Sequence, residues 1–301
     1  MFLRQLTYLI ALDQFRHFSR AAESCGVSQP ALSAGIRQLE NELGVAIIHR
    51  NRRFHGLTDE GRRVLVWAKQ TLAALDGLRQ EAAFARDVCG GSLSIGVMSP
   101  ALQTVPLLLE IFRDAIPGLH LEVLSGTAAD IAHRLREQHL HLGVMYLDQI
   151  PADGPFDTLP LYTEQYVLAG SASARMPAGP SCGWADAADL PLCLFSRTMR
   201  SRQIVDAGFL EAGVRPSIIL ETDSISVLHS ELRAGRLCSI LPVAALPETV
   251  GDAGLRTIPI MPCVAPQVGI VKLRQPVMSP VLSRIWDVCG RLQAGDVFAA
   301  V

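Results

Sequence analysis

The sequence predicts a mixed fold: an all-α head of winged helix-turn-helix type, a long linker helix, and an α/β body. Three observations carry this reading. Over the first 45 residues the apolar positions recur at helical spacing, interrupted by a helix stop at Gly26 and a helix cap at Ser28. From Glu60 to Asp87 no proline occurs and apolar residues keep a heptad spacing. After Cys89-Gly90-Gly91-Ser92 the period changes to strand-like alternation at Leu93 to Val97, and strand-like and helix-like segments then alternate.

The first helix carries Leu3, Leu6 and Ile10 on one stripe and is expected to end near Arg16. Ser19 is the expected cap of a short second helix, whose Ala21, Ala22 and Cys25 allow close packing. Gly26 ends it, because a glycine just past a helix takes the left-handed conformation without strain. Ser28 then caps a third helix, and Pro30 is tolerated in its first turn.

On that third helix Leu32, Ile36, Leu39 and Leu43 form the stripe expected to face the core. The opposite face holds Pro30, Ser33, Ala34, Arg37 and Asn41, with Gln29 at its N-terminal end. These side chains are short and polar enough to enter a major groove, although each alone also reads as a solvated surface residue. Arg50-Asn51-Arg52-Arg53-Phe54-His55-Gly56 follows as a basic hairpin, suited to phosphate or to a narrow minor groove.

Charge and composition agree. Residues 1–90 hold 12 Lys and Arg against 9 Asp and Glu, and the remainder 15 against 20, within a net charge of −2. A basic head and an acidic body suggest that only the head meets a polyanion. With 301 residues, 49% of them hydrophobic, the chain has material for two or more cores. The longest apolar stretches, such as Leu237 to Leu246, are too short to span a membrane, and the N-terminus lacks a secretion-signal pattern, so a cytoplasmic protein is expected. Seven scattered cysteines without a C-x-x-C pair indicate neither a disulfide framework nor zinc; Cys182 and Cys193 are left as a candidate regulatory pair that no local signature marks. His133, His139 and His141 lack ligand spacing, so no metal and no cofactor is expected.

Leu3-Arg4-Gln5-Leu6, Phe18-Ser19-Arg20-Ala21-Ala22, Val27-Ser28-Gln29-Pro30-Ala31-Leu32-Ser33, Ile36-Arg37-Gln38-Leu39-Glu40, Glu42-Leu43-Gly44, Arg50-x-x-Arg53 and Leu57-Thr58-x-x-Gly61 together closely resemble the LysR-type transcriptional regulators. The resemblance implies a transcription regulator that binds promoter DNA through Ser28, Gln29, Pro30, Ser33 and Arg37 of the recognition helix, and through Arg50, Arg52 and Arg53 of the wing. Two departures stand out. Ala34-Gly35 replaces positions often long and polar in the family, and a mid-helix glycine costs about 1 kcal/mol relative to alanine. Ile47-Ile48 replaces the usual Leu-Phe before the wing.

Val64, Ala68, Thr71, Leu75, Leu78, Ala82 and Ala85 form a seam expected to pair with a second copy of the chain. A helix of this length, roughly 42 Å at 1.5 Å per residue, is too exposed to stand alone. The alternative is a helix lying on its own effector domain. The resemblance implies a homodimer through this helix, a homotetramer, and contact with RNA polymerase, with head 1–58, linker 59–88 and effector domain 89–301.

For the effector domain the resemblance implies two subdomains like those of periplasmic binding proteins, 92–162 with 267–301 and 163–266. Ligands in such folds lie beyond the carboxyl ends of the strands, where helix starts offer free N–H groups to an anion. The candidate effector contacts are Ser99, Pro100 and Ala101 after the first strand, Thr127 and Ala128 after the second, Phe195 and Arg197 after a later one, and Asp223 and Ser224 at a further helix start. Arg197 is the candidate cation for a carboxylate or other anionic small molecule. His141 stands where the family often has aspartate. A solute-binding protein is the rival reading for the C-terminal half alone, and an enzyme is disfavoured because no G-x-S-x-G, P-loop, G-x-G-x-x-G or H-E-x-x-H occurs.

Overall fold

The computed structural model describes residues 3–49, 55–84, 90–247 and 254–292. The chain divides into two compact units, Met1–Val88 with Pro276–Pro280, and Cys89–Gln275 with Val281–Val301.

The first unit contains α1 (Leu3–Phe15), α2 (Phe18–Ser24), α3 (Gln29–Leu43) and α4 (Asp59–Phe84). Leu6, Leu9, Leu12, Ala21, Ala22, Leu32, Ile36 and Leu39 share one core with Ile47, Leu57, Leu65 and Ala68. Each fully buried leucine or isoleucine contributes about 1.5–3 kcal/mol, so shared packing rather than intrinsic propensity holds helices this short.

The α2 cap differs from the expectation. His17, not Ser19, precedes the helix, and its Nδ1 accepts the Ser19 N–H at 3.2 Å, so an imidazole takes the part assigned to a hydroxyl. Ser28 does cap α3, its Oγ accepting from the Ala31 N–H, and Gly44 closes α3 at φ +69°. Leu43 also departs from its expected place. It is 41% exposed, because the last turn of α3 overhangs the core and lines an open groove.

Two glycines are explained by close approach. A Cβ on Gly35 would lie 2.7 Å from Cδ2 of Tyr8, so the α3 glycine admits the α1 ring. On Gly61 it would lie 2.1 Å from the Ile47 carbonyl oxygen, which lets the start of α4 press on the chain entering the wing. Thr58 completes this joint: its Oγ1 accepts the Gly61 N–H at 2.8 Å and donates to the Ala46 carbonyl at 2.6 Å.

The second unit runs β1 (Gly91–Met98), a 3-10 turn Ser99–Thr104, α5 (Val105–Ala115), β2 (Leu119–Gly126), α6 (Ala128–Arg136), β3 (Leu142–Tyr146), a 3-10 turn Leu147–Gln149 and β4 (Phe156–Thr163). It continues through β5 (Tyr166–Ser171), β6 (Cys182–Gly183), α7 (Trp184–Ala188), β7 (Leu192–Phe195), α8 (Arg200–Glu211), β8 (Ile218–Thr222), α9 (Ile225–Ala234) and β9 (Ser239–Pro242). A 3-10 turn Val243–Ala245, β10 (Leu255–Met261), β11 (Gln267–Leu273) and α10 (Pro280–Leu292) follow.

One sheet has the order β2-β1-β3-β11-β4 and another β6-β10-β5-β9. The parallel pair β7-β8 joins the second through a bridge from Leu192 to Cys238, where the Cys193 N–H donates to the Cys238 carbonyl at 2.8 Å. The chain leaves the first sheet between Thr163 and Tyr166 and returns between Met261 and Gln267.

The sheets are more mixed than the alternating pattern suggests. β1 pairs in parallel with β2 and β3, whereas β11 is antiparallel to β3 and β4, and β5 is antiparallel to β9 and β10. The reason is topological: the strand that leaves the first sheet and the strand that returns to it lie side by side and run opposite ways.

Candidate functional site

In the head, burial of Leu32, Ile36 and Leu39 turns the other side of α3 outward, leaving Gln29, Pro30, Ala34, Arg37, Gln38 and Asn41 exposed and Ser33 half-buried. Gly35 faces the Tyr8 ring. The unusual Ala34-Gly35 step therefore puts one small residue on the outward face and one against α1.

The wing is built on a short antiparallel bridge from Ile48 to Leu57, with the His49 N–H donating to the Gly56 carbonyl at 3.2 Å. Glu40, on the buried side of α3, binds it: Oε1 accepts the N–H groups of Ile47 at 2.8 Å and Ile48 at 3.2 Å. These two bonds tie α3 directly to the segment that enters the wing. Arg50, Arg52 and Arg53, the expected wing contacts, lie outside the described residues.

The expected α4 seam divides between the head core and the surface. Val64 and Ala68 pack into the head core, Leu75 is half-buried, Thr71, Leu78 and Ala82 are exposed, and Ala85 lies outside the described residues. The head claims the first two seam positions because α1 lies against α4 there, with Lys69 reaching Asp13 at 3.8 Å. An exposed line starts at Trp67, 70% exposed, and continues through the seam positions Thr71 and Leu78, with Ala74 between them. Beside Trp67 an open groove of about 390 Å³ is lined by Leu6, Leu43, Val45, Val64 and Ala68.

In the second unit the candidate effector residues fall into two clusters. Met98 pairs with Gly126, so Ser99 and Thr127 start side by side at the carboxyl edge of the first sheet. Phe195 pairs with Thr222, which places the turn carrying Arg197 beside Asp223 and Ser224. Several of these residues are committed to packing or capping. Pro100 and Ala101 are buried, and the turn holding them packs against Val243–Ala245. Phe195 is 2% exposed within a core cluster with Leu228 and Leu232.

Thr127 and Asp130 form a reciprocal capping box, with Thr127 Oγ1 donating to Asp130 Oδ2 at 2.7 Å; these bonds hold the Asp130 carboxyl below its ordinary pKa. Ala128 is the half-buried first residue of that helix. Ser224 caps α9 through the Val227 N–H at 3.4 Å, and Asp223 is exposed beside it. Arg197 lies on the surface, its Nε 3.4 Å from Glu221.

The junction between the two sheets holds groups absent from the sequence expectations. Tyr146 at the end of β3 and Tyr166 at the start of β5 meet hydroxyl to hydroxyl at 3.0 Å. Between them in sequence, Glu164 is buried; Oε1 accepts the N–H groups of Gln165 at 3.2 Å and Ala244 at 3.3 Å, and Oε2 has no partner among the described residues. Desolvation pushes its carboxyl up to about 7, against the lowering effect of those N–H bonds. Arg200, at the start of α8, reaches across to Asp148, with Nη2 2.6 Å from Oδ2.

The family model for the bacterial regulatory helix-turn-helix protein, lysR family, matches residues 3–62, and that for the LysR substrate binding domain matches residues 87–294. The chain belongs to the LysR family. It is accordingly a DNA-binding transcription regulator with an effector-binding C-terminal domain. Among curated LysR relatives, a hydrogen peroxide-inducible genes activator of Haemophilus influenzae is 26% identical over 277 residues, covering 89% of this chain and 87% of the relative.

Among solved structures, full-length CbnR complexed with its target DNA is 25% identical, with a TM-score of 0.65 over 97% of this chain and all of that one. A full-length OxyR variant from Pseudomonas aeruginosa has the same fold, with a TM-score of 0.73, 24% identity, and coverage of 96% of this chain and 98% of that one.

Within this LysR chain His141 has a structural explanation. Its Nδ1 accepts the Ser94 N–H at 2.9 Å and lies 2.8 Å from Ser94 Oγ, so it fastens the approach to β3 onto β1 by an acceptor that a carboxylate also supplies. No group of three or more His, Cys, Asp or Glu suited to a metal occurs among the described residues.

Proposed function

We propose that this LysR-family regulator acts in the cytoplasm as a homodimer, assembled further into a homotetramer, that sets two α3 faces into successive major grooves of promoter DNA. The observation that carries the reading is the exposed, short-chained face of α3 opposite its buried stripe, with the wing anchored to the same helix through Glu40. Gln29, Ser33 and Arg37 meet the bases or nearby phosphates, Ser28 and Pro30 set the start of the helix against the backbone, and Arg50, Arg52 and Arg53 of the wing contact phosphate. The working parts are the head 1–58, the linker 59–88 and the effector domain 89–301.

The dimer forms along α4, with Trp67 as anchor. A large exposed aromatic beside an apolar groove is the surface that a second copy of the same helix would bury. A small anion, a carboxylate foremost, enters the junction of the two subdomains, where Ser99, Thr127 and Ser224 open helical turns. Its binding changes how the dimer engages the promoter and RNA polymerase.

Relatives named for hydrogen peroxide raise a thiol-based alternative, which the four buried cysteines do not favour, while Cys263 is exposed and Cys25 half-buried. Cys182, Cys193, Cys238 and Cys289 are buried, and burial pushes their thiols up, to about 11 for Cys182 and Cys193 and about 12 for Cys289. Reactive thiolates need the opposite environment.

Fluorescence anisotropy on operator and scrambled duplexes at several salt concentrations tests the DNA reading. Arg53→Ala is expected to weaken binding to both duplexes and flatten the salt slope, while Gln29→Ala changes base preference by ~1–3 kcal/mol. Unchanged affinity in both variants would remove the assignment of face and wing.

A further inference from the structure

The Arg200–Asp148 ion pair joins the two subdomains. Arg200 donates to Oδ2 of Asp148 from Nε at 3.1 Å and Nη2 at 2.6 Å. Asp148 sits in the 3-10 turn directly after β3, the central strand of the first sheet, while α8 packs on β7 and β9 of the second subdomain. Arg197, Arg202, Lys272 and Arg274 all pair with carboxylates of their own subdomain: Glu221, Asp206 and Glu221, Asp157, and Asp157 respectively.

Solvent reaches both partners of the bridge, whose side chains are 34% and 39% exposed. A pair this exposed is screened and weak, so it exchanges readily for an external ion. The first turn of α8 holds more than a cation. Met199 precedes the helix without capping it, and Ser201 is 2% exposed with an Oγ that has no partner among the described residues. Next to Arg200 in sequence, the first turn of α8 thus holds a buried hydroxyl without a partner among the described residues and a helix start without a side-chain cap, two further kinds of donor that an anion can recruit.

We propose that Asp148 is an internal stand-in for the effector: a free carboxylate takes the two Arg200 N–H donors, engages Ser201 and the first turn of α8, and releases Asp148. The inference rests on the anionic-effector reading and assigns that anion its cation, Arg200 in place of Arg197. The exchange is like for like, since one carboxylate replaces another on the same guanidinium. Asp148 is tethered and therefore present at high effective concentration, so the incoming anion wins only through the additional donors of α8. Its entry releases the tie between the subdomains, which is how occupancy is converted into a change of shape.

Calorimetric titration of full-length wild type, Asp148→Asn, Arg200→Gln and Arg200→Lys with acetate, succinate, benzoate and inorganic phosphate tests this, with thermal melts confirming that each variant folds. At least one probe is expected to bind Asp148→Asn ~10-fold or more tighter than wild type, because the tethered competitor is gone. The same probe is expected to fail on Arg200→Gln and to recover only partly on Arg200→Lys, which keeps the charge but not the paired donors. A probe that binds wild type, Asp148→Asn and Arg200→Gln alike overturns the exchange while leaving the anionic effector standing. If no probe binds Asp148→Asn, where Arg200 is free, both fall. Wild-type affinity in Arg200→Lys contradicts the paired-donor geometry.

Discussion

The carboxylate of Glu40 accepts the backbone N–H of Ile47 at 2.8 Å, which joins α3 to the chain segment that enters the wing. Both ends of the bond are buried, so losing it leaves backbone donors unsatisfied. Glu40→Ala is expected to lower head stability by about 1–3 kcal/mol and to weaken DNA binding further, because the wing loses its fixed position. Thermal melts and anisotropy on the same preparations check this, and equal DNA affinity at unchanged stability would show that the wing is positioned by other means.

Gly35 supports a second prediction of opposite kind. A methyl group there collides with the Tyr8 ring, so Gly35→Ala is expected to cost about 1–3 kcal/mol despite the better helix propensity of alanine. Combining it with Tyr8→Leu, which gives the methyl room, is expected to recover part of that loss. Chemical denaturation of the four proteins of the cycle measures it, and a stabilising single substitution would contradict the packing account.

The head was legible in the sequence because its signals are local. Gly26, Ser28, Pro30 and the stripe from Leu32 to Leu39 mark turn, cap and core within a few residues of one another, and the structure keeps all of them. The Ser19 cap fails because His17 offers an acceptor one position ahead of the helix, which hydroxyl-based rules overlook. Strands β4, β10 and β11 escape a periodicity reading. Pro160 interrupts β4, which an edge strand tolerates, Pro259 interrupts β10, and β11 is a buried run without alternation. The contacts of Arg200, Glu164 and Tyr146 stay hidden for a different reason: their partners lie 20 to 80 positions away, and no local pattern announces a contact of that range.

Trp67 makes the assembly testable. Trp67→Ala is expected to shift the protein toward monomer by at least ~2 kcal/mol of association free energy, as removal of an interface anchor does. Sedimentation velocity across a concentration series reads the change. A dimer of undiminished affinity would place the main interface elsewhere than along α4.

Glu164 gives the effector domain a pH dependence with a defined sign. Its folded carboxyl titrates near 7, above the 4.5 of the free side chain, so between these values the folded state holds the proton and the unfolded state does not. The stability contributed by this group is complete below about 4.5 and lost as pH rises through 7. Glu164→Gln, which resembles the protonated acid, is expected to melt at a temperature that falls less steeply over that window than wild type does. Parallel slopes in the two proteins would show that the buried carboxyl is not proton-linked to folding.

On the proposed function, the outward face of α3 reads DNA under the control of a small anion. Nuclease footprinting on the DNA upstream of the protein's own gene, with and without small carboxylates and aromatic acids, tests it most directly. Protection is expected at two half-sites spaced by whole helical turns, lost or weakened in Gln29→Ala, with at least one acid changing its extent or strength. Protection that is absent, or equal on scrambled duplex and indifferent to every acid, would contradict it.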